Sequence, residues 1–199
     1  NPPNPNFNPQ EALDQKVVHK YTRHLPEVHD LVAEFRRWCD EYPERILLGE
    51  TYVSIRDGVK FYGSRKKPEL HLPLNSHLLM RPWDADGLVA GVRDYAAAVP
   101  EHGWPNWTLG NHDMRRLSDR ARAGQERVAA MLLLTLRGTP AIYYGDEIGM
   151  HNVPVPPEQA KDPQRKVQPH RSRDVARTPM QWHASEHAGF TTGEPWLPV

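Results

Sequence analysis

The sequence predicts an α/β fold built around a parallel sheet. Three observations predict it. Segments with helical hydrophobic spacing alternate with short apolar runs that fit buried strands. Two of the connections between strand candidates carry helices of crossover length, which parallel strands require. Three of the strand candidates run into carboxylates, and parallel α/β folds bind ligands at the carboxyl ends of their strands.

Leu25, Val28, Leu31, Val32, Phe35 and Trp38 recur at helical spacing and predict a helix over residues 26–41 with one apolar face. Pro26 suits its first turn, Glu27 and Asp30 sit at the positive end of its dipole, and Pro43 helps to stop it. Residues 46–49, Ile-Leu-Leu-Gly, are too short an apolar run for a helix; they read as a buried strand running into Glu50-Thr51. Residues 70–74 are a weaker strand candidate, because Pro73 cannot donate to a ladder. Leu88, Val89, Val92, Tyr95, Ala96 and Val99 predict a helix over 86–99, ended by Pro100 and Gly103. Residues 107–110, Trp-Thr-Leu-Gly, read as a strand leading into Asn111-His112-Asp113. Val128, Met131, Leu132, Leu133 and Leu136 belong to one long predicted helix over 118–137, with Arg137 and Gly138 as its stop. Residues 141–144, Ala-Ile-Tyr-Tyr, are the last strand, ending at Gly145-Asp146-Glu147.

Composition narrows the function. Twenty-five Lys and Arg balance 25 Asp and Glu over 199 residues, which argues against a nucleic-acid binder or a polybasic membrane-surface protein. Mean hydropathy is -0.72, and no stretch approaches the roughly 18–20 apolar residues of a membrane helix. The single cysteine, Cys39, excludes an internal disulfide and fits a reducing, cytoplasmic compartment. Its default role is packing beside Trp38. Proline is twice as frequent as usual, 20 residues against ~5%, and clusters in residues 1–9 and 153–169. With an asparagine first, the chain reads as a fragment. Four strands are too few for a closed (β/α)8 barrel, and a doubly wound sheet fits the length better. No Gly-x-Gly-x-x-Gly follows a strand and no Gly-x-x-x-x-Gly-Lys occurs, so a nucleotide-binding version loses its main support.

Glu50, Asp113 and the Asp146-Glu147 pair, with His112, gather at strand ends. Paired carboxylates are the equipment of glycoside cleavage: one protonates the leaving oxygen while another attacks or stabilises an oxocarbenium-like carbon. For any single strand-end carboxylate, a helix cap or a solvated loop residue is the competing reading. That reading is favoured for Asp146 and Glu147. His183 and His187 lie in a loop without a visible third ligand, so no metal site is expected there. Asp84-Ala85-Asp86-Gly87 resembles a calcium loop faintly, but Tyr95 stands where its bidentate Glu belongs, and a helix cap is the expectation. Of Tyr143 and Tyr144, one is expected to pack in the core, while an aromatic face could also line a sugar site.

Several segments together carry a resemblance. Ile46-Leu47-Leu48-Gly49-Glu50-Thr51, Leu109-Gly110-Asn111-His112-Asp113, residues 136–150 (from Leu-Arg-Gly-Thr-Pro to Asp-Glu-Ile-Gly-Met), Arg173-Asp174-Val175-Ala176-Arg177-Thr178-Pro179-Met180-Gln181-Trp182 and residues 188–199 resemble, in order, glycoside hydrolase family 13, the α-amylase family, in its α-glucosidase and oligo-1,6-glucosidase branch. The resemblance implies a partial (β/α)8 TIM barrel, approximately strands five to eight with their helices. Residues 1–182 would be the C-terminal half of the barrel, and residues 183–199 a linker toward an absent β-sandwich domain.

The implied chemistry is a retaining α-glucosidase acting on short α-glucosidic oligosaccharides. The resemblance assigns Glu50 as general acid/base, Asp113 as transition-state stabiliser and His112 as a sugar ligand. Arg173 and Arg177 match the family's arginine-rich loop near the first sugar; which of them touches it is left open. Arg116 matches an arginine that follows Asn-His-Asp in the branch, whereas Met114 and Arg115 depart from it and put the aglycone-side preference in doubt. No cofactor, metal, nucleic acid or membrane is implied. The family's nucleophile, an aspartate in a Gly-Phe-Arg-x-Asp-like segment, is absent from the 199 residues. The expectation is a chain that is inert by itself, whose missing partner is the N-terminal half of the barrel. The alternatives are glucosyl transfer or isomerisation (trehalose- or isomaltulose-forming), or a non-catalytic, transporter-associated relative. The presence of Glu50, His112 and Asp113 weighs against the last.

Overall fold

The computed structural model of the chain describes every residue except Gln10, Ala12, His24 and Val167. Helix α1 (Glu27–Asp40) forms where the apolar spacing predicts, with Pro26 at its N-cap. None of its residues is buried; Leu31, Phe35 and Trp38 are about half exposed. Polar contacts anchor it instead. His29 Nδ1 lies 2.7 Å from the buried Glu69 carboxylate, and Arg36 donates to the Glu69 carbonyl at 3.2 Å.

Strands β1 (Leu48–Thr51) and β2 (Leu72–Asn75) pair in parallel, with Glu50 opposite Leu74. The ladder starts two residues later than the apolar run because the His71 ring takes the Leu47 N–H at 2.9 Å; regular pairing begins at Leu48. After β1 the chain makes a short helix, α2 (Ile55–Gly58), capped by Ser54. Helix α3 (His77–Met80) follows β2, and α4 (Ala85–Ala98) comes next. Asp84 caps α4, accepting the Gly87 N–H at 2.7 Å, so the acidic Asp84–Gly87 stretch is the expected helix start.

Strands β3 (Asn106–Thr108) and β4 (Thr139–Ala141) form a second parallel pair. Between them the long helix predicted over 118–137 is two helices, α5 (Leu117–Arg120) and α6 (Glu126–Thr135). Distant contacts make the break. Arg120 donates to the carbonyls of Leu79 at 2.8 Å and Arg115 at 3.0 Å and also to that of Leu109, while Asp119 accepts the Asn152 N–H at 2.5 Å. Gly124, at φ 80°, then turns the chain into α6. Strand β4 sits two residues earlier than residues 141–144 because Thr139 to Ala141 find the partners on β3.

The two pairs meet at β2 and β3. Pro73 has no N–H, and the Asn106 side chain replaces the regular ladder here. Its Oδ1 accepts the Asn75 N–H at 2.8 Å, and its Nδ2 donates to the Pro73 carbonyl at 2.5 Å. Leu78, Leu88, Tyr95, Trp107, Leu109, Leu117, Ala129 and Leu133 form the core against this seam. Among the described residues, β1 and β4 each pair on one side only, so the sheet is open rather than a closed barrel. No helix among them is long and apolar enough to cross a membrane.

Candidate active site

The seam decides which polar residues meet. Strand β1 carries Glu50 one residue from its carboxyl end, and the chain leaving β3 carries Asn111, His112 and Asp113. One ligand-capable atom from each of Glu50, His112 and Asp113 lies within 4.8 Å of the other two. Asn111 builds the bridge. Its Oδ1 takes the Asp113 N–H at 3.0 Å, which folds the turn, and its Nδ2 reaches Glu50 Oε1 at 3.5 Å and the Tyr52 hydroxyl at 2.5 Å. Tyr52 donates to Glu50 at 3.3 Å, and burial pushes its own ionisation upward. Tyr52 was not among the sequence candidates. Its place two residues after Glu50 was the available signal, although β1 ends at Thr51 and Tyr52 is the first residue beyond it.

Asp113 sits in a different field. Its Oδ1 accepts from Arg173 Nη1 at 3.0 Å and from Arg177 Nη2 at 2.9 Å, with His112 Nε2 3.5 Å away. Arg177 also donates through Nε to the His112 carbonyl at 2.8 Å, so it orders both residues. Both arginines therefore reach the same carboxylate. Glu50, in contrast, meets the neutral partners Tyr52 and Asn111. Two carboxylates in unlike surroundings suit unlike roles.

Glu50, Tyr52, Asn111, His112, Ile142 and Tyr143 line part of an open cleft of about 160 Å³. Tyr143 faces it with its hydroxyl on the Ala176 carbonyl at 3.0 Å, while Tyr144 turns to the Thr178 carbonyl at 2.7 Å. Arg116 lies beneath, fully buried, its guanidinium 4.5 Å from the Tyr144 ring centroid and 4.9 Å from that of Tyr143. It also donates to the Tyr144 carbonyl. Arg116 is thus a support of the floor and not a wall of the cleft. Beside it Asp146 is pushed up to about 6 by burial, against the opposing pull of Arg116.

The oxygen–nitrogen–oxygen set of Glu50, His112 and Asp113 has donors a divalent cation could use. Two guanidiniums already share the near oxygen of Asp113, however, so the arrangement fits an ion-pair cluster better than a metal site. His183 and His187 join no three-ligand group among the described residues.

Comparison with known proteins gives four likenesses. The sequence profile of the α-amylase catalytic domain matches residues 3–199. Maltase A1 of Drosophila melanogaster is 35% identical over 196 residues, covering 91% of this chain and 34% of its own. Oligo-1,6-glucosidase of Parageobacillus thermoglucosidasius is 31% identical over 233 residues, covering 98% of this chain and 41% of its own. The crystal structure of the α-glucosyl transfer enzyme XgtA superposes with a TM-score of 0.83 at 31% identity, over 93% of this chain and 36% of that one. The chain spans about a third of the length of the first of these curated relatives.

Proposed function

The chain belongs to the α-amylase family of glycoside hydrolase catalytic domains, and from that premise we propose that it supplies the acid/base side of a retaining site for α-glucosidic bonds of short oligosaccharides. The observation that carries the reading is the convergence of Glu50, His112 and Asp113 within 4.8 Å, with Asp113 clamped by two arginines. In this reading Glu50 protonates the leaving glycosidic oxygen and afterwards activates water. Its hydrogen-bond partners Tyr52 and Asn111 are neutral, and the nearby Asp113 carboxylate is paired with two arginines. Asp113 grips sugar hydroxyls more strongly as positive charge develops on the ring. His112 donates to the same sugar, and Tyr143 offers an aromatic face to it.

Retention needs a carboxylate about 5 Å from the acid as nucleophile, in addition to the stabiliser role this reading gives the arginine-paired Asp113. No segment of the 199 residues matches the family's nucleophile motif. The chain by itself is therefore inert, its residues 1–182 acting as strands five to eight of a barrel and residues 183–199 leading onward. Assay of the isolated chain on maltose, isomaltose and an aryl α-glucoside is expected to give no turnover. Turnover abolished by Glu50→Gln would overturn the inertness. Titration with methyl α-D-glucoside is expected to shift the His112 and Asp113 amide resonances, and unmoved resonances would overturn the sugar site.

Glucosyl transfer is the second reading, favoured by the close superposition on XgtA. The same acid and stabiliser serve both reactions, and water access to the covalent intermediate divides them. Product analysis at high maltose, with the chain joined to a nucleophile-bearing segment, separates the two.

A further inference from the structure

We propose that Asp162 is a positioning residue that holds the Arg173 guanidinium against Asp113, an inference that rests on the site read above and adds to it a residue no sequence motif marked. The Asp162 side chain is 0% exposed. It lies in the irregular chain after β4, where a buried carboxylate has to be paired to persist. Its Oδ1 accepts from the Gln164 N–H at 3.1 Å and from Arg173 Nη2 at 2.9 Å. Its Oδ2 accepts from the Arg173 N–H at 2.8 Å and from Arg173 Nε at 2.9 Å. Both oxygens thus grip one edge of the guanidinium in the fork geometry of strong carboxylate–arginine pairs.

The guanidinium is planar, so fixing the Nε–Nη2 edge fixes the direction of the remaining nitrogen. That nitrogen, Nη1, is the one that meets Asp113 at 3.0 Å. Asp162 is itself held from behind: its N–H donates to both carboxylate oxygens of buried Asp174 at 3.0 Å. The order of support runs from Asp174 through Asp162 and Arg173 to Asp113. The hydrogen bonds from Arg173 keep the Asp162 carboxyl well below the usual range, and Asp162 in turn keeps Arg173 charged. Arg177 reaches Asp113 by a separate route, through the His112 carbonyl. Asp113 therefore has two cationic donors, and only Arg173 is gripped by Asp162. A residue that merely pinned its own loop would need its backbone bonds alone; the bonds to Nε and Nη2 aim at the site.

The test uses the whole 199-residue chain with arginine side chains labelled with ¹⁵N. In the wild type the Arg173 Nε–H is expected to exchange slowly. In Asp162→Asn, nearly the same shape without the charge, it should exchange at least tenfold faster while Arg177 is unchanged. Affinity for methyl α-D-glucoside should weaken about fivefold or more in Asp162→Asn and recover in part in Asp162→Glu. Equal Arg173 protection in wild type and Asp162→Asn overturns the inference. So does release of both arginines together, which would make Asp162 a holder of the loop. If Asp162→Asn does not fold, the wild type decides: a protected Arg173 Nε–H supports the inference and an unprotected one overturns it. Release of Arg173 in a chain that binds no glucoside supports the positioning role and overturns the carbohydrate reading instead.

Discussion

Replacing Asn106 by leucine is expected to lower stability by about 3 kcal/mol. Asn106 is 1% exposed, and its side chain is the hydrogen-bonded joint between the strand pair bearing Glu50 and the one leading to Asp113. The substitution leaves two buried backbone groups without partners, the Asn75 N–H and the Pro73 carbonyl. Each orphaned group costs roughly 1–3 kcal/mol, and partial relaxation of the seam puts the sum in the lower half of that combined range. For a chain of this length the loss corresponds to a fall of about 6–12 °C in Tm. Urea unfolding at equilibrium should show a lower midpoint with an unchanged m-value, because the unfolded surface is the same. Asn106→Asp should cost at least as much, since it keeps the acceptor for Asn75 but turns a negative oxygen toward the Pro73 carbonyl. A loss below about 1 kcal/mol for Asn106→Leu would refute the reasoning, and the two pairs would then be joined by apolar packing alone.

Asp84→Ala removes the cap of α4 and should cost about 1 kcal/mol, with a loss of far-UV helical signal; an unchanged unfolding midpoint would show the cap to be idle. Gly145→Ala should destabilise by about 1–3 kcal/mol, because Gly145 has φ 86° and a Cβ there would stand 2.7 Å from Met150 Sδ and 2.8 Å from Arg116 Nη1. Its check is thermal unfolding followed by near-UV circular dichroism, and a variant as stable as the wild type contradicts the prediction. Asp146 gives a pH signature. Its folded value of about 6 lies above its ordinary 3.8, so between these values the folded chain holds a proton that the unfolded chain has released. Stability from this group is full below about pH 4 and declines as pH rises through about 6. Asp146→Asn removes the titration, so its stability relative to wild type should rise across that window; a difference that stays constant from pH 4 to 7 counts against it.

Much of the site was legible because polar residues at strand ends are a local signal. Glu50 closes an apolar run, and Asn111-His112-Asp113 follows another. That they gather at one mouth was legible from the parallel strands; the joint that brings them there was not. It depends on Asn106 crossing from β3 to two backbone groups of β2. The same holds for Arg173 and Arg177, which the sequence places in one segment without showing that both close on Asp113. Asp162 stood in a proline-rich stretch with no periodicity and no motif, so nothing nearby in the chain marked it.

The sequence by itself determined where α1 and α4 lie, where α4 starts, that the strands run parallel, and which carboxylates stand at their ends. Hydrophobic periodicity, capping and crossover length act over a few residues to a few turns, so they can be read from a window of sequence. Only the tertiary structure decided that residues 118–137 break into two helices, that β1 starts two residues later and β4 two residues earlier than the apolar runs, that Arg116 supports the floor, and that a buried Asp162 grips Arg173. Each of these follows from hydrogen bonds between residues remote in sequence. Their worth depends on burial, which exists only once the chain has folded.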